Sequence, residues 1–175
     1  MPRSIKLISV AATLSLLLTL LTASAALSVG PVQNFVAPLN GGEEVPARDT
    51  NAHGVAKFQL SADGTELSWI LIASNIGNVV ASHIHVGPAG ANGPVVLFLY
   101  GSVPAGGGRH DGVLSTGTAT AANLVGPLAG QPLSALIAEM EAGNTYVNVH
   151  TNDGVGETNT GPGDFPGGEI RGQIR

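Results

Sequence analysis

Residues 79–86 read VVASHIHV, and this stretch says most about how the chain folds and where its chemistry lies. It is rich in β-branched residues, which favour a β-strand. Side chains two residues apart on a strand point to the same face of the sheet. His83 and His85 are therefore predicted to stand side by side on one face. Ile84 and Val86 are predicted to point the other way, into the core.

The sequence on either side continues in the same strand-and-turn pattern. The chain contains 25 Gly and 11 Pro, which separate short apolar runs. Such spacing is typical of many strands joined by turns. Further strands are predicted at residues 33–39, 55–61, 66–73, 94–100, 112–120, 144–151 and 169–175. This pattern predicts an all-β domain of about eight strands, either a two-sheet sandwich or a flattened barrel.

One segment departs from the strand period. Pro132 suits a first helical position and Gly143 suits the residue that follows a helix. The segment between them predicts one short amphipathic helix over an open end of the sheets. Its apolar residues recur at helical spacing: Leu133, Leu136, Ile137 and Met140.

The first residues have the pattern of an export signal. Arg3 and Lys6 precede a mainly apolar run at 7–21, and Ala23-Ser24-Ala25 supplies a small-x-small cleavage pattern. The run is shorter than the roughly 20 residues of a membrane-spanning helix. We therefore expect a signal peptide at 1–25, a linker at 26–32 and the domain at 33–175, secreted or held in the cell envelope. Retention of the segment as an anchor is the alternative.

Charge excludes several classes of partner. Beyond residue 25 the chain has 5 basic residues and 12 acidic ones, and the basic residues are scattered. Nucleic acids and anionic membranes are bound through clustered basic residues, so neither is expected as a partner. An extracellular protein or glycan is compatible with this charge, and the sequence leaves the oligomeric state open.

The absence of cysteine narrows the chemistry further. With no Cys in the sequence, thiolate zinc sites and cysteine nucleophiles are excluded. Any metal must be held by imidazole and oxygen ligands, a set that suits copper, zinc or nickel. Serine-hydrolase, phosphate-loop and dinucleotide motifs are also absent from the sequence. Glu43 and Glu44 are expected to be solvated carboxylates in a turn.

A third histidine extends the pair. In residues 144–151 Val147 and Val149 are predicted to face the core, which leaves His150 on the outer face with Tyr146 and Asn148. If this strand neighbours residues 79–86, His83, His85 and His150 form a trigonal set suited to Cu(II) or Zn(II). Their ring nitrogens should then lie within about 4 Å of one another. The alternative is that these histidines bond loop carbonyls and shape turns.

Two further features are interpreted from their surroundings. His53 and His110 lie in glycine-rich segments and are expected to be exposed loop residues. Residues 152–168 form the longest polar loop, and a loop of this length suggests a functional lid.

Several ordered motifs resemble the chordin (CHRD) domain family across about residues 33–175. They are FVAPLNG at 35–41, EVP at 44–46, HIHVGPAGANGPVV at 83–96, GNTYVNVHT at 143–151 and GGEIRGQI at 167–174. The resemblance implies a small, exported protein. Bacterial and archaeal members have no defined activity, and the domain in animal chordin belongs to an extracellular protein that binds growth factors.

A more distant similarity is to the copper–zinc superoxide dismutases. His83-Ile84-His85 is similar to their copper-binding H-x-H pair, and the strand ending at His150 is similar to a late strand that supplies another copper ligand. This similarity implies a Greek-key sandwich with His83, His85 and His150 as copper ligands. The bridging histidine, the zinc ligands and the loop cysteines of those enzymes have no counterpart here, and Arg171 is not a clean match to their substrate-guiding arginine.

The sequence thus leaves three functions open. The first is an extracellular binding module in which the histidines are structural. The second is a copper-binding or copper-buffering protein, and the third is a copper-only enzyme similar to superoxide dismutase. No catalytic residue is assigned, and copper is the one cofactor that the resemblance suggests.

Overall fold

The computed structural model describes residues 32–175, so the expected signal peptide and all but the last residue of the expected linker lie outside the described residues. Eight antiparallel strands and one helix α1 (Leu133–Glu141) make up most of the described chain, with three 3₁₀ turns at Gly41–Glu43, Ala121–Asn123 and Gly126–Leu128. The strands are β1 (Gln33–Asn40), β2 (His53–Leu60), β3 (Leu67–Gly77), β4 (Val79–Val86), β5 (Val95–Gly101), β6 (Arg109–Ala119), β7 (Thr145–Thr151) and β8 (Ile170–Gln173).

The strands form a single curled sheet. Their order is β5-β4-β7-β8-β1-β2-β3-β6, and the end strands β5 and β6 approach each other, so the sheet is a nearly closed barrel. Connections that cross the barrel ends bring β4 beside β7 and β8 beside β1, as in Greek-key proteins. The predicted all-β class is confirmed, and its single sheet is a barrel rather than a two-sheet sandwich. No helix among residues 32–175 is long and apolar enough to span a membrane.

Alternation along the strands builds the core. In β1, Phe35, Ala37 and Leu39 are buried while their neighbours are exposed. Ile84 of β4 is likewise fully buried inside the barrel. The apolar face of α1 joins this core through Leu133, Leu136, Ile137 and Met140, as the helical spacing predicts. Pro132 differs from the expectation by one position, because it is the N-cap residue that precedes the first helical turn.

Strand β8 packs so closely on β1 that only glycine fits at one position. A Cβ on Gly172 would overlap the carbonyl oxygen of Pro38, which is backbone and cannot swing aside. Gly172→Ala should therefore lower the free energy of unfolding by about 1–3 kcal/mol, measured by urea denaturation. Gly107→Ala is the matched control, because a Cβ there meets no neighbour. Equal stability of the two variants would contradict the close approach.

Candidate metal centre

Strand pairing brings the three predicted histidines together. β4 and β7 are antiparallel neighbours, with His83 opposite Asn148 and His85 opposite Tyr146. His150 lies two residues beyond Asn148 on β7 and opposite Ala81. The three imidazoles therefore share the outer face of the barrel, as strand parity predicts. Loops cover this face, so His85 is only 8% exposed.

The ring nitrogens converge on a small region. One ligating nitrogen from each of His83, His85 and His150 lies within 4.8 Å of the other two. The closest pair is Nδ1 of His83 and Nε2 of His150, which are 3.1 Å apart. The spread is somewhat wider than the 4 Å expected for ligands of one ion. A displacement of one ring by less than about 1 Å would close the difference.

Backbone carbonyls hold two of the rings from behind. Nδ1 of His85 donates to the carbonyl of Gly93, and Nδ1 of His150 donates to the carbonyl of Pro166, both at 2.8 Å. A carbonyl can only accept, so both rings carry their proton on Nδ1 when neutral and present a lone pair on Nε2. Metal-binding histidines are commonly oriented in this way, through the nitrogen that does not bind the metal.

One of the inward-facing nitrogens has no protein partner. Nε2 of His85 is buried and has no hydrogen-bond partner among the described residues. Nε2 of His150 has a lone pair and can only accept the Nδ1 proton of His83 at 3.1 Å. A buried polar atom without a partner destabilises a protein by about 1–3 kcal/mol. A metal ion would satisfy Nε2 of His85 and would replace the hydrogen bond between His83 and His150, so the donor set fits the group that the sequence suggests.

Burial keeps the histidines neutral. It lowers the pKa of His83 from 6.5 to about 4, with smaller contributions from the neighbouring His150 and His85. Burial is also the main cause that lowers the pKa of His85 and of His150. A metal binds the neutral imidazole, so protons compete weakly for these nitrogens at neutral pH.

A stacked column connects the site to a buried cation. The ring of Tyr146 stacks on His85 with centroids 4.8 Å apart and an angle of 12° between the planes. On the other face of Tyr146, the guanidinium of Arg171 lies 3.4 Å from the ring centroid. Arg171 is 1% exposed, and it donates to Asn92 Oδ1 and to the carbonyls of Pro88 and Ala91. Its charge contributes to the lowered pKa of His85.

A buried carboxyl group, that of Glu44, contacts the side chain of Asn148 next to the histidine centre. Glu44 is 5% exposed, so the expectation of a solvated carboxylate at this position is wrong. Its Oε2 accepts a long hydrogen bond from Asn148 Nδ2 at 3.4 Å. The absence of a side chain on Gly168 makes room for both groups, since a Cβ there would lie 2.5 Å from Asn148 Oδ1 and 2.6 Å from Glu44 Oε1.

Burial raises the pKa of Glu44 to about 7, although the positive charges of Arg171 and Arg48 oppose the shift. The folded protein therefore binds more protons than the unfolded chain between pH 4.5 and about 7. The stabilisation from neutral Glu44 is fully present below pH 4.5 and is lost as the pH rises to about 7. His83 acts in the opposite sense, since its lowered pKa removes stability as the pH falls from 6.5 to about 4.

The variant Glu44→Gln should isolate the carboxyl contribution. Relative to the unsubstituted protein, its free energy of unfolding should rise between pH 5 and pH 8 by up to about 3 kcal/mol. Urea denaturation at both pH values, with a chelator present to exclude metals, measures this difference. Exposed Glu43 gives the matched control, Glu43→Gln. A Glu44→Gln difference that is the same at both pH values would show that the buried carboxyl does not change its charge in this range.

The other histidines and the long loop differ partly from expectation. His53 is exposed, as expected, but it begins β2, and His110 is half-buried within β6, so neither is a loop residue. Neither belongs to the three-histidine group. The loop at 152–168 reaches the site at its second end, where Pro166 bonds His150. Glu169, directly after the loop, is buried and accepts from Thr50, Thr151 and the backbone of Gly163.

Sequence reasoning missed Glu44, Tyr146 and Arg171 as members of this polar cluster. Strand alternation placed Tyr146 on the outer face. The burial of all three residues depends on how distant loops fold over that face, which the sequence pattern does not show. Comparison with known protein families finds that residues 35–174 match the sequence model of the CHRD domain. No curated protein and no solved structure matched the chain in the parallel searches.

Proposed function

The chain belongs to the CHRD domain family, and from this premise we propose that it is an exported binding domain whose ligand is one copper ion, held by His83, His85 and His150. The observation that carries the proposal is the convergence of the three ring nitrogens, with Nε2 of His85 buried and unpartnered. In this proposal the three imidazoles bind and store the copper ion.

The location outside the cytoplasm is part of the proposal. It is supported by the signal-like pattern at 1–25 and by the extracellular setting that the family resemblance implies. The mass of the protein recovered after export tests it, because cleavage after Ala25 would remove residues 1–25. Recovery of the uncleaved chain in membranes would instead support retention as an anchor.

Copper titration of the exported protein tests the ligand. Addition of Cu(II), and separately of Cu(I) under anaerobic conditions, should saturate at one equivalent and raise the melting temperature. Cu(II) should also give a visible d–d band. The double variant His83→Ala, His85→Ala should lose these responses, while His53→Ala, which changes an exposed histidine, should keep them. The proposal would be contradicted if neither ion gave a response, or if the response survived the double variant.

The described residues give no separate support to dismutase activity. Arg171, the cation nearest in position to a guiding arginine, is buried, and its guanidinium is bonded to loop carbonyls rather than directed at solvent. The net negative charge would also repel superoxide. Recognition of an extracellular protein or glycan stays a prediction from the family resemblance, and a pull-down with the exported protein would test it.

A further inference from the structure

The three histidines are the whole set of strong ligands at the centre. Within residues 32–175 no carboxylate joins the group. The sequence contains no cysteine, and Met140 is buried in the barrel core. The amide of Asn148, which lies opposite His83 in the strand register, bonds Glu44 and packs against Gly168. Three histidines hold Cu(II) or Zn(II) when water completes a square-planar or tetrahedral set, whereas Cu(I) is stable with three ligands, so the access of water decides between the ions.

On its solvent-facing side, the centre is bordered by an apolar ring. Phe98 of β5 lies directly opposite His83 in the strand register. Its ring meets the imidazole edge-on, at 90° and with centroids 4.7 Å apart, and the side chain is 47% exposed. An aromatic ring cannot supply a fourth donor, and it restricts the approach of water. This exposed neighbour of His83 therefore offers no oxygen or nitrogen ligand.

A buried cation lies on the inner side of the centre. Arg171 is 1% exposed, so solvent screens its charge only weakly. It is separated from His85 only by the stacked ring of Tyr146. A unit charge roughly 8 Å away, at an effective dielectric constant near 20, weakens binding of each additional positive charge by about 30-fold. This field favours a monovalent ion over a divalent one.

From these three features we propose that the centre is selective for Cu(I) over Cu(II) and Zn(II). The inference rests on the proposed function and adds the oxidation state of its ligand. The three neutral imidazoles and the apolar ring of Phe98 disfavour the larger coordination number of the divalent ions. The buried guanidinium of Arg171 disfavours their higher charge.

Affinities measured by chelator competition test the selectivity. The dissociation constant of Cu(I) is measured anaerobically against bicinchoninate, and those of Cu(II) and Zn(II) are measured against chelators suited to each ion. We expect the Cu(I) constant to be at least about 30-fold below the other two. A Cu(II) or Zn(II) constant equal to or below that of Cu(I) would overturn the selectivity while leaving metal binding in place. Failure of all three ions to bind would instead reject the proposed function.

A carboxylate placed at the open side should reverse part of the preference. In Phe98→Glu the new group would lie beside His83 and supply both a negative charge and an oxygen donor. We expect Cu(II) to bind about tenfold more tightly relative to Cu(I) than it does in the unsubstituted protein. Val113→Glu is the matched control, since Val113 is 52% exposed on β6, the other edge strand. Equal ratios in both variants would show that Phe98 does not control the choice of ion.

Discussion

Replacement of Arg171 by methionine should lower the free energy of unfolding by about 3–5 kcal/mol. The variant keeps most of the buried volume but removes the donors to the Pro88 and Ala91 carbonyls and the cation on the Tyr146 ring. It also removes one of the two positive charges that oppose the raised pKa of Glu44. Urea denaturation in the presence of a chelator measures the change.

The control for this prediction is an exposed arginine. Arg109 bonds Asp111 at 2.6 Å, but its side chain is 68% exposed. Arg109→Met should therefore change the unfolding free energy by less than about 1 kcal/mol. If both substitutions had the same small effect, the loop at 87–94 would not depend on the buried guanidinium.

Copper should stabilise the fold through His150. At a free concentration one hundred times the dissociation constant, a bound ligand raises the unfolding free energy by about 2.7 kcal/mol. In His150→Asn we expect an increment below about 0.5 kcal/mol at the same concentration, because one of three ligands is lost. The metal-free variant should also lose about 1 kcal/mol with the hydrogen bond to Pro166.

Chemical denaturation with and without copper measures both effects. His110→Asn is the control, since His110 is half-buried on β6 and outside the histidine group. Retention of the full copper increment in His150→Asn would place the ion elsewhere. Loss of the increment in His110→Asn as well would point to a general effect of histidine content.

Much of the local structure was predictable because it depends on short-range pattern. Strand parity placed Ile84 in the core and His83 and His85 on the outer face, and helical spacing located α1. The adjacency of β4 and β7 was not predictable, because it results from a chain crossing over the barrel end. The burial of Glu44 and Arg171 was equally hidden, since it depends on loops folding over the outer face.

Because short-range patterns do not show how loops fold over a sheet, the sequence predicts a more exposed site than the structure has. Alternation along β7 correctly separates Val147 from Tyr146 and Asn148, yet all three are at most 2% exposed. A two-residue period reports which face a side chain occupies, but not what lies above that face. Here the outer face is covered by three loop segments, at 41–50, 87–93 and 161–168. Alternation along the strands does not predict their contacts.

The loop at 152–168 is constrained unevenly, which suggests where the chain will accept new sequence. Its second part ties Gly163 to Glu169 and Pro166 to His150. In its first part Val155 is 73% exposed and bonds only its neighbour Asp153. A spectroscopic label or affinity tag inserted after Gly156 would therefore leave the histidine centre in place. Relatives that differ in length here would be expected to vary before residue 159 and to retain the spacing from Asn159 to Glu169, because Asn159 and Thr160 bond Asp164.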